Sequence, residues 1–402
     1  MFSSTGRLAR PGVQLIQRGV RMRTVLSSAV MSLAAVAASA AELSAIVAIE
    51  PTSKKDGMIV SRATLAASLG KAAGAPVTAL TSEDLADVMR ATRSGGFDIF
   101  IAPPQVAASA LMRGYELVGS TDRAEHYVLV GRHQVGSTAD LKGGRIYLPQ
   151  QDSIYTYMAR GMLNASGLSF RDLSSVQHER YPQAGLTAVM LGQADATVVR
   201  RSDWEEWSKA HAGIAKVLAT STPVPGGFSV VVKKDLPADV RTRVASWFSN
   251  SAQTAGLKPV AERAELTEYK TVAELGLFTP TLLPGAKMVT AREVEQLIAR
   301  GAVMVDTRTE KEYTTKRIPG AIFGPYHEKS LKDVAFDPSK DDFAGVAKLD
   351  RSKPTVFACN GAECWKSYKA SRVALSSGLK EVYWFRGGLP EWEAAGLPVA
   401  KN

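Results

Sequence analysis

The stretch 355-TVFACNGAECWKS-367 holds both cysteines of a 402-residue chain, Cys359 and Cys364, five positions apart. Four residues that favour an extended, buried strand run into Cys359. Small, polar and charged residues follow, and then a helix-like continuation. A strand that ends in cysteine, a glycine-containing loop and a helix can aim backbone N–H groups at the sulfur. The helix N-terminus adds partial positive charge, and both effects favour thiolate over thiol. Lys366 would reinforce this, and Glu363 would oppose it if turned inward. Two other readings of the loop stand beside the nucleophile: a buried, inert Cys359, and a Cys359–Cys364 redox pair. A bridge this short closes only a tight loop, which a large domain does not require for stability. Cys364 is therefore read as a packing residue or a minor redox partner.

Outward from this loop the same alternation continues. A helix over 290-TAREVEQLIARG-301 precedes a strand at 302-AVMVDT-307, and a last strand is expected at 381-EVYWF-385. Upstream, 278-FTPTLLPGAKMVT-290 interrupts the pattern with two prolines and a glycine, so a domain boundary is placed near 284–287. Residues 285–402 then form one small α/β domain, large enough to fold alone. Residues 41–284 form a larger one. Its strand candidates are 43-LSAIVAI-49, 97-FDIFIA-102, 127-YVLVG-131, 145-RIYLP-149, 194-ADATVV-199 and 228-FSVVVK-233. Amphipathic helices run between them, at 60–74, 83–96 and 236–251 among others, which predicts α/β units on mainly parallel sheets.

The first 40 residues read as an export signal. Five arginines (Arg7, Arg10, Arg18, Arg21, Arg23) precede the apolar run 25-VLSSAVMSLAAVAASA-40, which ends in Ala38-Ser39-Ala40. The run is short of the ~20 residues that span a bilayer. Cleavage near Ala40 and a periplasmic location are expected. Without those arginines the formal charge falls from +10 to about +5. The other basic residues are dispersed among acids, so nucleic acid is not an expected partner. The histidines (His126, His133, His178, His211, His327) are scattered, none at zinc-ligand spacing from the cysteines, and neither a metal nor a cofactor is expected.

Three motifs in order carry a family resemblance for the C-terminal part. The segment 303-VMVDTRTEKEYTTKRIPGAIFGP-325, the Cys359 loop and 382-VYWFRGGLPEWEAAGLPV-399 together resemble a rhodanese-like sulfurtransferase over roughly 287–400. The resemblance implies that Cys359 carries sulfane sulfur as a persulfide, taken from a sulfur donor and passed to a thiol or other nucleophile. It implies structural roles for Asp306 and Arg308, and makes Asn360, Gly361, Ala362, Glu363, Cys364, Trp365 and Lys366 the loop around the sulfur. The loop departs from the family's shorter forms, since Ser367 comes eight residues after Cys359. Trp365 stands where related phosphatases place arginine, so the fork that would bind phosphate is missing.

For the N-terminal part, 97-FDIFIAPPQVAASAL-111, the Leu-Lys-Gly-Gly-Arg run at 141–145, 189-VMLGQADATVV-199 and 223-PVPGGFSVVVKKDLP-237 resemble periplasmic solute-binding proteins of the phosphate/phosphonate class. Residues 150–156 form a polar turn entering a helix, where free N–H groups and the dipole favour an anion; ordinary capping by Asp152 or Ser153 explains the same residues. The resemblance implies a small anionic or sulfur-containing ligand between two lobes, touched by Thr52, Ser53, Gln105, Ser153, Tyr155 and Thr156, and a possible membrane permease as partner. Asp195 is read as a structural residue, and Trp204 and Trp207 as packing. The expected fold is α/β: a bilobal binding-protein-like domain followed by a smaller rhodanese-like α/β domain. The functional expectation is an exported sulfurtransferase fused to a binding module. The alternatives are a solute-binding protein with a non-catalytic rhodanese docking domain, and a thiol-disulfide oxidoreductase using Cys359 and Cys364.

Overall fold

A computed structural model describes residues 41–51, 61–261 and 264–401. The export-signal reading and the ligand residues Thr52 and Ser53 lie outside them.

The first lobe begins with β1 (Leu43–Ala48), α1 (Arg62–Ala73), β2 (Val77–Ser82), α2 (Leu85–Ser94), β3 (Ile99–Ala102), α3 (Pro104–Leu111) and β4 (Tyr115–Glu125). The chain then crosses to a second lobe built from β5 (Tyr127–Arg132), β6 (Arg145–Leu148), α4 (Ile154–Ala165), β7 (Ser175–His178), α5 (Gln183–Met190), β8 (Ala196–Arg200), α6 (Arg201–Ala210) and β9 (Ala215–Thr220). It returns through β10 (Val224–Lys233), followed by α7 (Ala238–Ser251) and α8 (Leu266–Glu274). The sheet orders are β2-β1-β3-β10-β4 and β7-β6-β8-β5-β9. The expectation of mainly parallel sheets needs correction here. In each lobe three strands run parallel, but β10 is antiparallel to β3 and β4, and β5 is antiparallel to β8 and β9. The reason is topological: one connecting strand, β10 in the first lobe and β5 in the second, is inserted against the run of the βαβ strands, and β4 and β9 beyond it run with them again.

Local sequence explains the helix limits. Asp84 caps α2 by accepting from Asp87 N, and Gly95 ends the helix in the left-handed conformation that a side chain resists. β1 and β3 are almost wholly apolar because helices cover both faces of the sheet. One apolar core, including Ile46, Phe100, Tyr127, Leu148, Tyr155 and Met158, runs through both lobes.

The third sheet is wholly parallel and belongs to the C-terminal part. Its elements are β11 (Ala286–Met288), α9 (Ala291–Ala299), β12 (Val303–Asp306), α10 (Glu310–Thr315), β13 (Ile322–Phe323), β14 (Thr355–Ala358), α11 (Trp365–Ser376), β15 (Val382–Phe385) and α12 (Gly388–Ala394). The order is β11-β15-β14-β12-β13. β14 is thus the central strand, and its four residues Thr-Val-Phe-Ala are all buried. That placement explains why the strand leading into Cys359 is continuously apolar rather than alternating.

Candidate functional site

Cys359 follows the central strand β14 directly and is 2 % exposed; Cys364 is 5 % exposed. The two form a disulfide, with Cα atoms 6.2 Å apart. Of the two readings of Cys364, packing residue or minor redox partner, the disulfide is compatible with the second. Gly361 adopts φ 86°, which folds the loop back sharply enough to bring the sulfurs together. Cys364 is also the N-cap residue of α11, where its side chain makes no capping hydrogen bond.

The sulfur of Cys359 has a specific polar neighbour. Ser367 Oγ lies 3.2 Å from it, and Trp384 Nε1 donates to the same oxygen at 3.2 Å. A disulfide sulfur has no proton, so the Ser367 hydroxyl is the donor in that contact. The Cys364 carbonyl oxygen also lies 3.2 Å from Cys359 Sγ.

Asp306 and Arg308 frame the loop from the neighbouring strand. Arg308 Nε and Nη2 contact the Asp306 carboxylate at 2.9 and 2.6 Å, and Nη1 reaches Asn360 Oδ1 at 3.3 Å. Asn360 Nδ2 donates to Glu312 Oε1 at 2.6 Å. The residue after the cysteine is thereby fixed from two elements. On the far side, Leu389 N donates to the Cys359 carbonyl at 3.0 Å.

The rest of the loop faces the N-terminal lobes rather than solvent. Glu363 is buried and its carboxylate pairs with Arg113, just past the end of α3. Burial lowers the Arg113 pKa, and Glu363 resists that shift. Thr279 N donates to the Ala362 carbonyl at 2.8 Å, and Trp365 Nε1 to the Leu277 carbonyl at 2.9 Å. Burial pushes the Lys366 amine down, and Arg90 adds to that. A cavity of about 440 Å³ opens beside Asn360, between α2 and the C-terminal elements. Arg90, Arg93, Arg308, Lys311 and Lys316 outnumber Asp87, Glu312 and Glu393 in its lining.

A second arrangement forms where the lobes meet. Gln105 and Ser153, predicted to touch a ligand, converge instead on Glu50, just beyond β1. Ile154 N donates to Glu50 Oε1 at 3.0 Å, Gln105 Nε2 to Oε2 at 3.3 Å, and the Ser153 side chain hydrogen-bonds the same carboxylate. Glu50 therefore occupies the N-terminus of α4 as an anionic ligand would. Ser153 also caps α4 through Tyr155 N, so the capping reading holds as well. Desolvation pushes the Glu50 carboxyl up to about 7, against these hydrogen bonds. Gln105 Oε1 is buried without a partner. The Tyr155 ring packs edge-on against Tyr127 at 5.1 Å, and the Thr156 hydroxyl donates to the Gln150 carbonyl at 2.9 Å. Both residues are thus committed to internal contacts.

The two arrangements are joined. Lys332 pairs with the buried Asp152 carboxylate, and its backbone N donates to Gln151 Oε1 at 3.0 Å. The segment carrying Lys332 is anchored by Lys369 of α11, fully buried, whose amine contacts Glu328 at 2.7 Å and donates to Ser330 O at 3.0 Å. Sequence reasoning missed Glu50, Lys332 and Lys369. Only a lysine on the apolar face of α11 hinted at the last. Asp195 binds Arg145 through both carboxylate oxygens, as a structural residue does. Trp204 and Trp207 pack against the second lobe's core.

Residues 47–274 match the family model described as "ABC transporter, phosphonate, periplasmic substrate-binding protein", and residues 290–395 match the rhodanese-like domain. A stretch of 114 residues is 32% identical to the HTH-type transcriptional regulator Rv0324 of Mycobacterium tuberculosis, covering 28% of this chain and 42% of that protein. The chain thus spans less than half the length of that relative. It is also 27% identical over 108 residues to the thiosulfate sulfurtransferase GlpE of Pseudomonas savastanoi pv. phaseolicola, covering 27% of this chain and 88% of the relative. Among solved structures, PhnD1 from Prochlorococcus marinus (MIT 9301), in complex with methylphosphonate, aligns with TM-score 0.45 and 15% identity over 58% of this chain and 97% of that one. The chain belongs to the periplasmic substrate-binding proteins of the phosphonate ABC-transporter type and carries a rhodanese-like domain at its C-terminal end.

Proposed function

We propose that this protein is an exported sulfurtransferase in which Cys359, once reduced, carries sulfane sulfur as a persulfide. In this reading residues 1–40 are a cleaved signal, 41–284 a solute-binding module and 285–402 the catalytic domain. The observation that carries it is the setting of Cys359: the first residue after the central strand, with its sulfur beside the Ser367 hydroxyl and its loop tied to Arg308 through Asn360. In the reduced state the thiolate attacks the outer sulfur of a donor such as thiosulfate, forms the persulfide and expels sulfite. A thiol or other nucleophile then removes the outer sulfur.

The binding module takes a small anionic or organosulfur ligand between its lobes, in association with a membrane permease. Such a ligand has to displace Glu50 from the start of α4 or bind next to it. Mass spectrometry of the reduced chain after exposure to thiosulfate tests the chemistry. One added sulfur on Cys359, absent in Cys359→Ser, supports the reading. An unmodified Cys359 at full donor excess sinks it.

The disulfide favours a second reading, a thiol-disulfide oxidoreductase using Cys359 and Cys364. That reading predicts reversible exchange of this disulfide with protein dithiols, visible by alkylation, with no persulfide intermediate.

A further inference from the structure

In the oxidised loop neither cysteine has a free thiol, so the site cannot act as a nucleophile toward a sulfane donor. It is an electrophile, and the chemistry it offers runs the other way. We propose that the Cys359–Cys364 disulfide is itself a substrate-accepting form, opened by hydrosulfide to give the Cys359 persulfide directly. This rests on the reading of Cys359 as the sulfur carrier and names a second sulfur source for the same site.

The step balances without further reagents. A lone pair of HS⁻ attacks Cys359 Sγ and forms a new S–S bond. The bond between Cys359 and Cys364 breaks, and its electron pair leaves on Cys364 Sγ as thiolate. The sulfide sulfur is oxidised to the sulfane level and the disulfide is reduced. The product persulfide keeps the incoming proton or releases it to solvent. A second turnover consumes a two-electron thiol oxidant, and a single turnover consumes none.

Three features favour this direction. First, the two sulfurs are not equivalent. Cys364 is the N-cap residue of the 12-residue helix α11, with its side chain making no cap hydrogen bond. A thiolate released there meets unsatisfied N–H groups and the positive end of the helix, which makes it the better leaving group. Second, Ser367 Oγ, held by Trp384 Nε1, donates to Cys359 Sγ, draws density from the attacked sulfur, and remains at hand for the persulfide that forms. Third, the bridge is enclosed. Both cysteines are almost fully buried, and contacts to Thr279, Leu277 and Arg113 cover the loop from the other domain. Attack by a protein dithiol requires that cover to lift, whereas hydrosulfide is the smallest sulfur nucleophile.

The experiment is a single-turnover labelling of the full-length chain. Oxidised protein receives one equivalent of freshly prepared, oxygen-free hydrosulfide, and is then alkylated, digested and weighed. One added sulfur on Cys359 together with a singly alkylated Cys364 is expected. Reduced protein treated with hydrosulfide should stay unloaded, because no oxidising equivalent is present. Cys364→Ser, which lacks the bridge, should lose hydrosulfide loading. An intact disulfide after treatment, the extra sulfur on Cys364, or equal loading of the reduced protein would overturn the proposal. Failure of the carrier reading is read separately, from reduced wild-type protein and thiosulfate.

Discussion

Lys332, in the C-terminal domain, and Asp152, two residues before α4 of the second lobe, form an ion pair with side chains only 9 % and 5 % exposed. A pair so enclosed holds the turn that enters α4 against the rhodanese-like domain. Arg113 and Glu363 make the corresponding link to the first lobe. The C-terminal domain therefore touches both lobes at once, and lobe opening strains or breaks one of these links.

Removing one partner of the Lys332–Asp152 pair leaves an uncompensated buried charge. Lys332→Ala is expected to destabilise the fold by ~3–5 kcal/mol. Lys332→Met combined with Asp152→Leu should recover most of that loss. Urea unfolding of the single and double variants measures both, and a double variant no more stable than Lys332→Ala would contradict the assignment.

Glu50 sets a pH dependence. Its folded pKa, about 7, stands above the ordinary value of 4.5, so the folded state binds the proton more tightly. The unfolded chain ionises first as pH rises, and the fold loses stability between those two values. Glu50→Gln removes the proton exchange. The variant's melting temperature should gain on wild type as pH rises from 5 to about 7 and level off above. Parallel melting curves across that range would refute the shift.

Ser367→Ala deletes the donor to Cys359 Sγ and leaves Trp384 Nε1, which is fully buried, without its acceptor. The orphaned donor should cost ~1–3 kcal/mol in denaturant unfolding. Thiosulfate loading of Cys359 should slow in the same variant. Ser367→Thr, which keeps the hydroxyl, should restore more of the loading rate than of the stability.

Gly388 has φ 56°, and a Cβ placed there would collide with the Cys359 carbonyl oxygen. Gly388→Ala combines left-handed strain of ~1–2 kcal/mol with displacement of the loop. Unfolding should show a loss larger than strain alone. Thiol titration should reveal a fraction of Cys359 and Cys364 left unpaired; a fully bridged variant of wild-type stability would exclude this tight approach.

Much of the C-terminal site is legible before any coordinates. Thr355 to Ala358 read as a buried strand because a central parallel strand is apolar on both faces. The Asp306–Arg308 pair and the loop order follow from local motifs. The disulfide is not legible, because five residues of separation say nothing of whether the backbone turns; the positive φ at Gly361 decides it. Gln105 and Ser153 are expected as ligand contacts from the polar turn and helix start that carry them, and in the structure both hydrogen-bond the Glu50 carboxylate. The identity of their partner, Glu50, depends on how one lobe closes on the other. β5 and β10 are legible as strands, but their antiparallel direction is not, for a related reason: a strand's residues set its burial, not the direction of its neighbour.

By itself the sequence determined the α/β character, the two family motifs, and the candidate sulfur atom, since each rests on residues close in the chain. Only the tertiary structure decided what those residues face. Lys332 meets Asp152 across 180 positions and Arg113 meets Glu363 across 250. Contacts of that range arise when three separately patterned sheets are packed together, and no local preference encodes them.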